Sequence, residues 1–212
     1  MFFDRTDAGA RLAKEMPPGL DDALVLGIPR GGVVVAAAVA AAMSAHLDVI
    51  VVHKLGAPGN PELAIGAVGP DGTVVLDEHA LAVIGEVDDA HLQGEAARQR
   101  EEIERRLEVY AGGLVPDVAG RTCVLVDDGI ATGSTARAAL LWLRARGAAR
   151  TVLAVPVAPA RSIETFRDLA DDIVCLARPP VFYAVGEWYR VFDDVADETV
   201  LDALRAARDP RA

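Results

Sequence analysis

Basic residues are scarce in this chain. Lys and Arg total 21 against 32 Asp and Glu, leaving a net charge of -11. A protein that grips a nucleic-acid backbone concentrates Lys and Arg to displace counterions, so nucleic acid is excluded as a partner. A small anionic ligand needs only local donors and stays open. Cysteine is nearly missing: Cys123 and Cys175 each sit inside an apolar run without metal-like spacing, which predicts buried reduced thiols and no disulfide framework. No apolar stretch approaches the roughly 20 residues that cross a bilayer. The opening segment, MFFDRTDAGARLAKEM, is acidic where a leader would be basic. Together these predict a cytoplasmic protein with no membrane partner. Internal repeats are lacking, and the only compositional bias is toward alanine.

What is present is enough apolar material for one core. With 212 residues and 52% hydrophobic content, the chain reads as a single domain over 1–212 with an elaboration. ALVLGI (residues 23–28) is a short apolar run ending at PRGG, followed by an Ala-rich helix over 33–43. LDVIVVH (47–53), RTCVLVDD, ARTVLAVPV and DDIVCLA supply four more apolar, β-branched strands. GSTARAALLWLRARG and PARSIETFRDLA between them have helical period. Strands apolar on both faces that alternate with helices imply an α/β fold with a doubly wound, mostly parallel sheet. Such sheets bind ligands beyond the carboxyl ends of their strands.

Two segments break the rhythm. Residues 56–85 are rich in Gly and Pro and hold two short apolar runs, 63–68 and 73–76, that could pair as a hairpin. An irregular excursion of that length in a compact domain reads as a lid. Residues 87–110 form a charged helix with Leu92, Ala96, Ile103, Leu107 and Tyr110 on one stripe. Glu101 and Glu102 each stand four residues before an Arg, as in a solvated helix with one packed face.

The informative stretch is VLVDDGIATGST, residues 124–135. Asp127 and Asp128 fall at the end of a buried strand. Gly129 to Thr135 then turn into a helix beginning near Gly133. A turn of Gly, Ala, Thr and Ser lets backbone N–H groups converge at the positive end of that helix, which suits a phosphate monoester. The Thr132, Ser134 and Thr135 hydroxyls can donate to it too. Two carboxylates beside a phosphate make sense if neutral hydroxyls of the same ligand face them, as in a ribose 5-phosphate. In PRGG, Gly31 and Gly32 remove side chains where backbone approaches a ligand, and Arg30 offers a delocalised cation. Lys54 should reach the same sheet edge from the end of the second strand. His53, pointing the opposite way, reads as packing or as a satisfied polar group.

VLVDDGIATGST resembles the PRPP-binding motif of type I phosphoribosyltransferases, and GIPRGG resembles that family's pyrophosphate loop. HKLGAPGNPELAIGAV and PPVFYAVGEWYRVFDDVADE are similar to a bacterial subgroup of the family whose acceptor is unidentified, so the resemblance spans nearly the whole chain. It implies transfer of 5-phosphoribose from PRPP to a nitrogen nucleophile, with Mg²⁺ as cofactor. Asp127 and Asp128 would act on the ribose hydroxyls, or on the metal through water. The 5-phosphate would lie on Ile130, Ala131, Thr132, Gly133, Ser134 and Thr135. Pyrophosphate would lie on Pro29, Arg30, Gly31, Gly32 and Lys54, with a cis peptide between Pro29 and Arg30. A nucleobase-like acceptor would meet residues 178–202, where Phe182, Tyr183, Trp188, Tyr189 and Phe192 make up five of the ten aromatics. A satellite core formed by the same side chains fits equally well.

One departure narrows the acceptor. Family members acting on 6-oxopurines carry an acid at the place of Ala131, so hypoxanthine and guanine are disfavoured. A homodimer is compatible with the sequence. A non-catalytic PRPP-sensing regulator remains the alternative, although no basic face points to DNA or RNA. A dinucleotide oxidoreductase lacks both G-x-G-x-x-G and an acid at the second strand end. A P-loop nucleotidase lacks the Lys before Ser-Thr, and a receiver domain lacks a later phosphate-accepting Asp.

Overall fold

A computed structural model describes residues 1–84 and 87–208, so Gly85, the expected end of the irregular excursion, lies outside the described residues. In chain order the elements are α1 (Arg5–Ala13), β1 (Leu24–Gly27), α2 (Gly31–Met43), β2 (His46–Val49), β3 (His53–Ala57), β4 (Asn60–Val68), β5 (Val74–Leu76), α3 (Glu78–Ile84), α4 (Asp89–Ala111), β6 (Thr122–Val126), α5 (Ser134–Ala145), β7 (Arg150–Val157), α6 (Ala160–Glu164), β8 (Asp172–Ala177), a 3-10 turn (Val185–Trp188) and α7 (Asp197–Arg208). Five strands form a parallel sheet in the order β2-β1-β6-β7-β8. Alternate residues of β1, β6 and β7 enter opposite cores. Val25, Val124, Val126 and Val152 join Val35 and Val39 of α2, while Leu26, Leu125, Leu153 and Val155 join Leu140 and Trp142 of α5. This is the two-faced burial that the apolar strands required. Cys123 is buried, Cys175 is half-buried, and both are free thiols.

The second strand is shorter than its apolar run. β2 stops at Val49, and the chain passes through Ile50, Val51 and Val52, which are 0%, 1% and 5% exposed, directly into β3. Because the crossing residues are as buried as strand residues, hydrophobicity shows no break. β3 opens a separate antiparallel sheet, β3-β4-β5. The pairing expected between 63–68 and 73–76 is present as β4 with β5, in register Gly66 to Leu76 and Val68 to Val74. This small sheet is fastened to α5. Trp142 Nε1 donates to Asp71 Oδ1 at 3.0 Å, and a Cβ on Gly69 would lie 2.0 Å from the Trp142 ring. Asp77, only 3% exposed, accepts from Arg137 of α5 and caps α3 through the His79 and Ala80 N–H groups.

Three further differences have local causes. The helix expected over 159–170 is confined to α6, after which Thr165, Phe166 and Leu169 make i to i−3 bonds in successive turns. That tightening brings Phe166 inward until its ring would lie 2.7 Å from a Cβ on Gly133. α1 is capped by Asp4, whose carboxylate accepts from Asp7 N, and α7 carries two acids in its first turn; neither helix is among the elements expected from the apolar pattern. On α4 the stripe Ala96, Ile103, Leu107 and Tyr110 is buried as expected, but Glu102 collects both arginines, with Arg105 and Arg106 at 2.9 and 2.6 Å. The paired guanidinium groups pull the Glu102 carboxyl down to about 2.

Candidate active site

β1 runs on to β2 on one side, and β6 runs on to β7 on the other. Their following loops therefore diverge and leave a crevice between them. Gly27 and Val126, the last residues of β1 and β6, are register partners, so both loops start side by side. The first loop enters α2 through a cis Pro29–Arg30 peptide, the bond that the resemblance implies. Arg30 is the N-cap residue of α2. It makes no capping bond, and the first turn holds no acid.

The two glycines have a purpose that their sequence does not disclose. A Cβ on Gly31 would lie 1.9 Å from Asp128 Oδ2, and one on Gly32 would lie 2.8 Å from Val126 O and 2.9 Å from Asp127 Cα. Their bareness lets the first loop touch the acidic one. Asp127 accepts from the Asp128 N–H at 2.9 Å, and Asp128 Oδ2 accepts from Arg5 Nε at 2.8 Å. Burial, followed by the neighbouring Asp128 charge, pushes the Asp127 carboxyl well above its ordinary range. Burial also raises Asp128, while the Arg5 guanidinium works in the opposite direction.

Beyond the acids, Ile130 donates its N–H to Val157 O and is 2% exposed, so neither its amide nor its side chain faces the crevice. Ala131 is exposed and its carbonyl accepts from Ser162 Oγ at 3.3 Å. Gly133, at φ 82°, turns the chain into α5. Only glycine takes that conformation without strain, and Phe166 closes the space as well. α5 also begins with no capping side chain and no acid in its first turn. The Thr132 and Ser134 hydroxyls are 3.3 Å apart.

Pro29, Arg30, Gly31, Lys54, Asp127, Asp128, Thr132, Ser134 and Thr135 line one cleft of about 430 Å³. Among the described residues, Gly32, Ile130, Ala131 and Gly133 do not line it, and none of residues 56–84 does. Lys54 arrives from β3 of the antiparallel sheet rather than from the end of a parallel strand. His53 bonds Gln99 of α4 at 2.6 Å, and burial lowers its pKa. The aromatics lie elsewhere: Phe182 and Trp188 pack on a satellite cluster of Phe2, Ala8, Val157 and Tyr189, and Tyr183 is 81% exposed.

The cleft lies at a strand-order reversal, with two uncapped helix N-termini and an acid pair between them, an arrangement suited to an anionic ligand. The sequence profile described as "Phosphoribosyl transferase domain" matches residues 7–190. The chain belongs to the phosphoribosyl transferase domain family.

This phosphoribosyl transferase domain is similar to solved and curated proteins along nearly its whole length. The crystal structure of TT1426 from Thermus thermophilus is 46% identical, with a TM-score of 0.89 over 96% of this chain and 98% of that one. Two Mycobacterium tuberculosis proteins, from strains CDC 1551 and H37Rv, each carry the name "Putative phosphoribosyl transferase". Each is 46% identical over 99% of this chain and 48% of its own length. The chain thus spans about half the length of the curated relatives it matches. The AQ2163 protein of Aquifex aeolicus, 11% identical with a TM-score of 0.50, shares the fold.

Two cations at or beside the cleft escape a reading of the sequence. Arg106 of α4 lines the cleft beside Arg30 and Lys54. It follows the buried stripe on α4, but helical period alone could not show that this turn reaches the cleft. Arg5 of α1 pairs with Asp128 across 123 positions of chain. The local signal, Asp4 and Asp7 bracketing a helix start, could have located α1 but not its partner.

Proposed function

We propose that this domain binds PRPP with Mg²⁺ and transfers 5-phosphoribose to a nitrogen nucleophile, releasing pyrophosphate. One observation carries the reading. α2 and α5, which leave adjacent strands, both start without a capping side chain or a first-turn acid, and both open into the cleft that holds Asp127 and Asp128. Two anion sites flanking two carboxylates match a ligand with phosphate at each end and hydroxyls between.

In this reading the 5-phosphate takes the Thr132, Ser134 and Thr135 hydroxyls and the first N–H groups of α5. Pyrophosphate takes Arg30, Lys54 and the Gly31 N–H group, with Arg106 as a further cation. The bond from the anomeric carbon to the pyrophosphate oxygen breaks and its electron pair leaves with that oxygen. The acceptor nitrogen forms the new bond from the opposite face and then sheds its proton. As positive charge grows on the ribose, Asp127 and Asp128 stabilise it and hold the 2- and 3-hydroxyls, while the cations receive the leaving charge.

The donor set suits Mg²⁺. Among the described residues no group of three or more His, Cys, Asp or Glu side chains forms a cage, whereas Mg²⁺ keeps water and substrate oxygens and needs only one or two carboxylates. Asp127 and Asp128 would hold it, directly or through water, and it would neutralise pyrophosphate charge. The acceptor is a nucleobase-like molecule, and the absence of an acid at Ala131 argues against a 6-oxopurine.

Pyrophosphate release from PRPP, assayed with Mg²⁺ against a panel of nucleobases and amines, tests this directly. Release with at least one acceptor, abolished by chelation, is expected. Firm PRPP binding with no release for any acceptor would favour a PRPP-sensing regulator instead.

A further inference from the structure

The acid pair is not symmetric. Asp127 accepts from its neighbour's backbone, the Asp128 N–H, whereas Asp128 is gripped from both ends of the chain. Arg5 Nε meets Asp128 Oδ2 at 2.8 Å, with the two side chains only 12% and 17% exposed. The Tyr189 hydroxyl donates to Asp128 O at 2.6 Å, and burial raises the pKa of that phenol, keeping it a donor. Arg5 is itself held: its guanidinium lies 3.9 Å above the Phe192 ring, and Nη1 donates to Asp193 O at 2.9 Å. Phe192 stacks on Tyr189, and Tyr189 contacts Phe2. The N-terminal strap follows the C-terminal one through backbone bonds, Arg190 N to Phe2 O and Val191 N to Phe3 O, both 2.9 Å.

We infer that Arg5 is a positioning residue, which fixes the Asp128 carboxylate for the Mg²⁺-dependent part of ligand binding and ties it to the segment 182–193. The inference rests on the PRPP reading given above. Arg5 does not line the cleft; it acts through Asp128. A planar guanidinium suits this place because it can stack on Phe192 and still donate in two directions, to Asp128 and to Asp193. Without it, a nearly buried carboxylate beside a second one would lose its opposing charge and its fixed orientation. Gly31, whose Cβ would meet both Asp128 Oδ2 and Arg5 Nε, leaves the room for this pair.

Calorimetric titration of PRPP, with and without Mg²⁺, into wild type, Arg5→Gln and Arg5→Lys separates the outcomes. In Arg5→Gln the Mg²⁺-enhanced affinity should drop about tenfold to a hundredfold, the usual effect of removing a partner that orients a metal-facing ligand. Affinity without Mg²⁺ should stay within a few fold, because the phosphate loop at Ser134 and Thr135 is untouched. Arg5→Lys, which keeps a cation able to reach Oδ2, should recover part of the loss. Equal affinities in wild type and Arg5→Gln would overturn the inference. So would equal losses with and without Mg²⁺ accompanied by a lowered melting temperature in both variants, which would mark Arg5 as a packing residue. Wild type that binds no PRPP at all would instead strike the functional reading.

Discussion

Asp127→Asn should cut PRPP-dependent turnover by about 10²- to 10³-fold, the size seen when one preorganised partner of a developing charge is removed, and it should raise the melting temperature at neutral pH. The two effects share a cause. Burial and the Asp128 charge lift the Asp127 pKa above its ordinary 3.8. The folded state therefore binds more protons than the unfolded chain between 3.8 and the lifted value. Stability conferred by this group is present below 3.8 and is lost as the pH rises through the folded pKa. Ionising this buried carboxylate beside Asp128 costs stability, and an amide of the same shape avoids that cost while still accepting from the Asp128 N–H. Asp128→Asn should also lower turnover, but it removes the counter-charge of Arg5, so its stabilisation should be smaller. Thermal unfolding alongside pyrophosphate release checks both halves; an Asp127→Asn protein that is less stable and fully active would remove the pair from the chemistry.

Trp142→Ala should lower the unfolding free energy by about 3–5 kcal/mol, the usual cost of emptying a buried aromatic site. For a chain of this size that is on the order of 10 °C in melting temperature. Trp142 is 0% exposed in the core beneath α5, and its indole also fastens the antiparallel sheet through Asp71 and the bare Gly69. The helix whose N-terminus opens into the cleft is thus the element on which the small sheet rests. Trp142→Phe retains most of the volume and should cost far less. Denaturant titration of the two variants, with similar costs in both, would show that the cavity is not what matters.

The parallel sheet was legible because its central strands are apolar on both faces and two of them end at loops of distinctive chemistry. PRGG and DDGIATGST mark two strand ends that are neighbours in the fold, and small residues mark the helix starts. Legibility failed wherever the deciding contact was non-local. Nothing in VIVVHK distinguishes residues leaving one sheet from residues entering another, because burial is continuous through Ile50, Val51 and Val52. Arg5 meets Asp128 only after both chain ends fold over the site, and Arg106 enters the cleft only because α4 crosses β3. In sequence the C-terminal aromatics fit a stacking platform and a satellite core equally well, and Phe182 and Trp188 serve the satellite core. Composition gives ring content, not ring placement.

The most direct measurement is a crystal structure of the domain soaked with PRPP and Mg²⁺. The 5-phosphate should appear at the start of α5, within hydrogen-bonding distance of Thr132, Ser134 and Thr135, with the ribose hydroxyls toward Asp127 and Asp128 and the pyrophosphate toward Arg30 and Lys54. A ligand seated anywhere else, or a cleft left empty at saturating PRPP, would contradict that assignment.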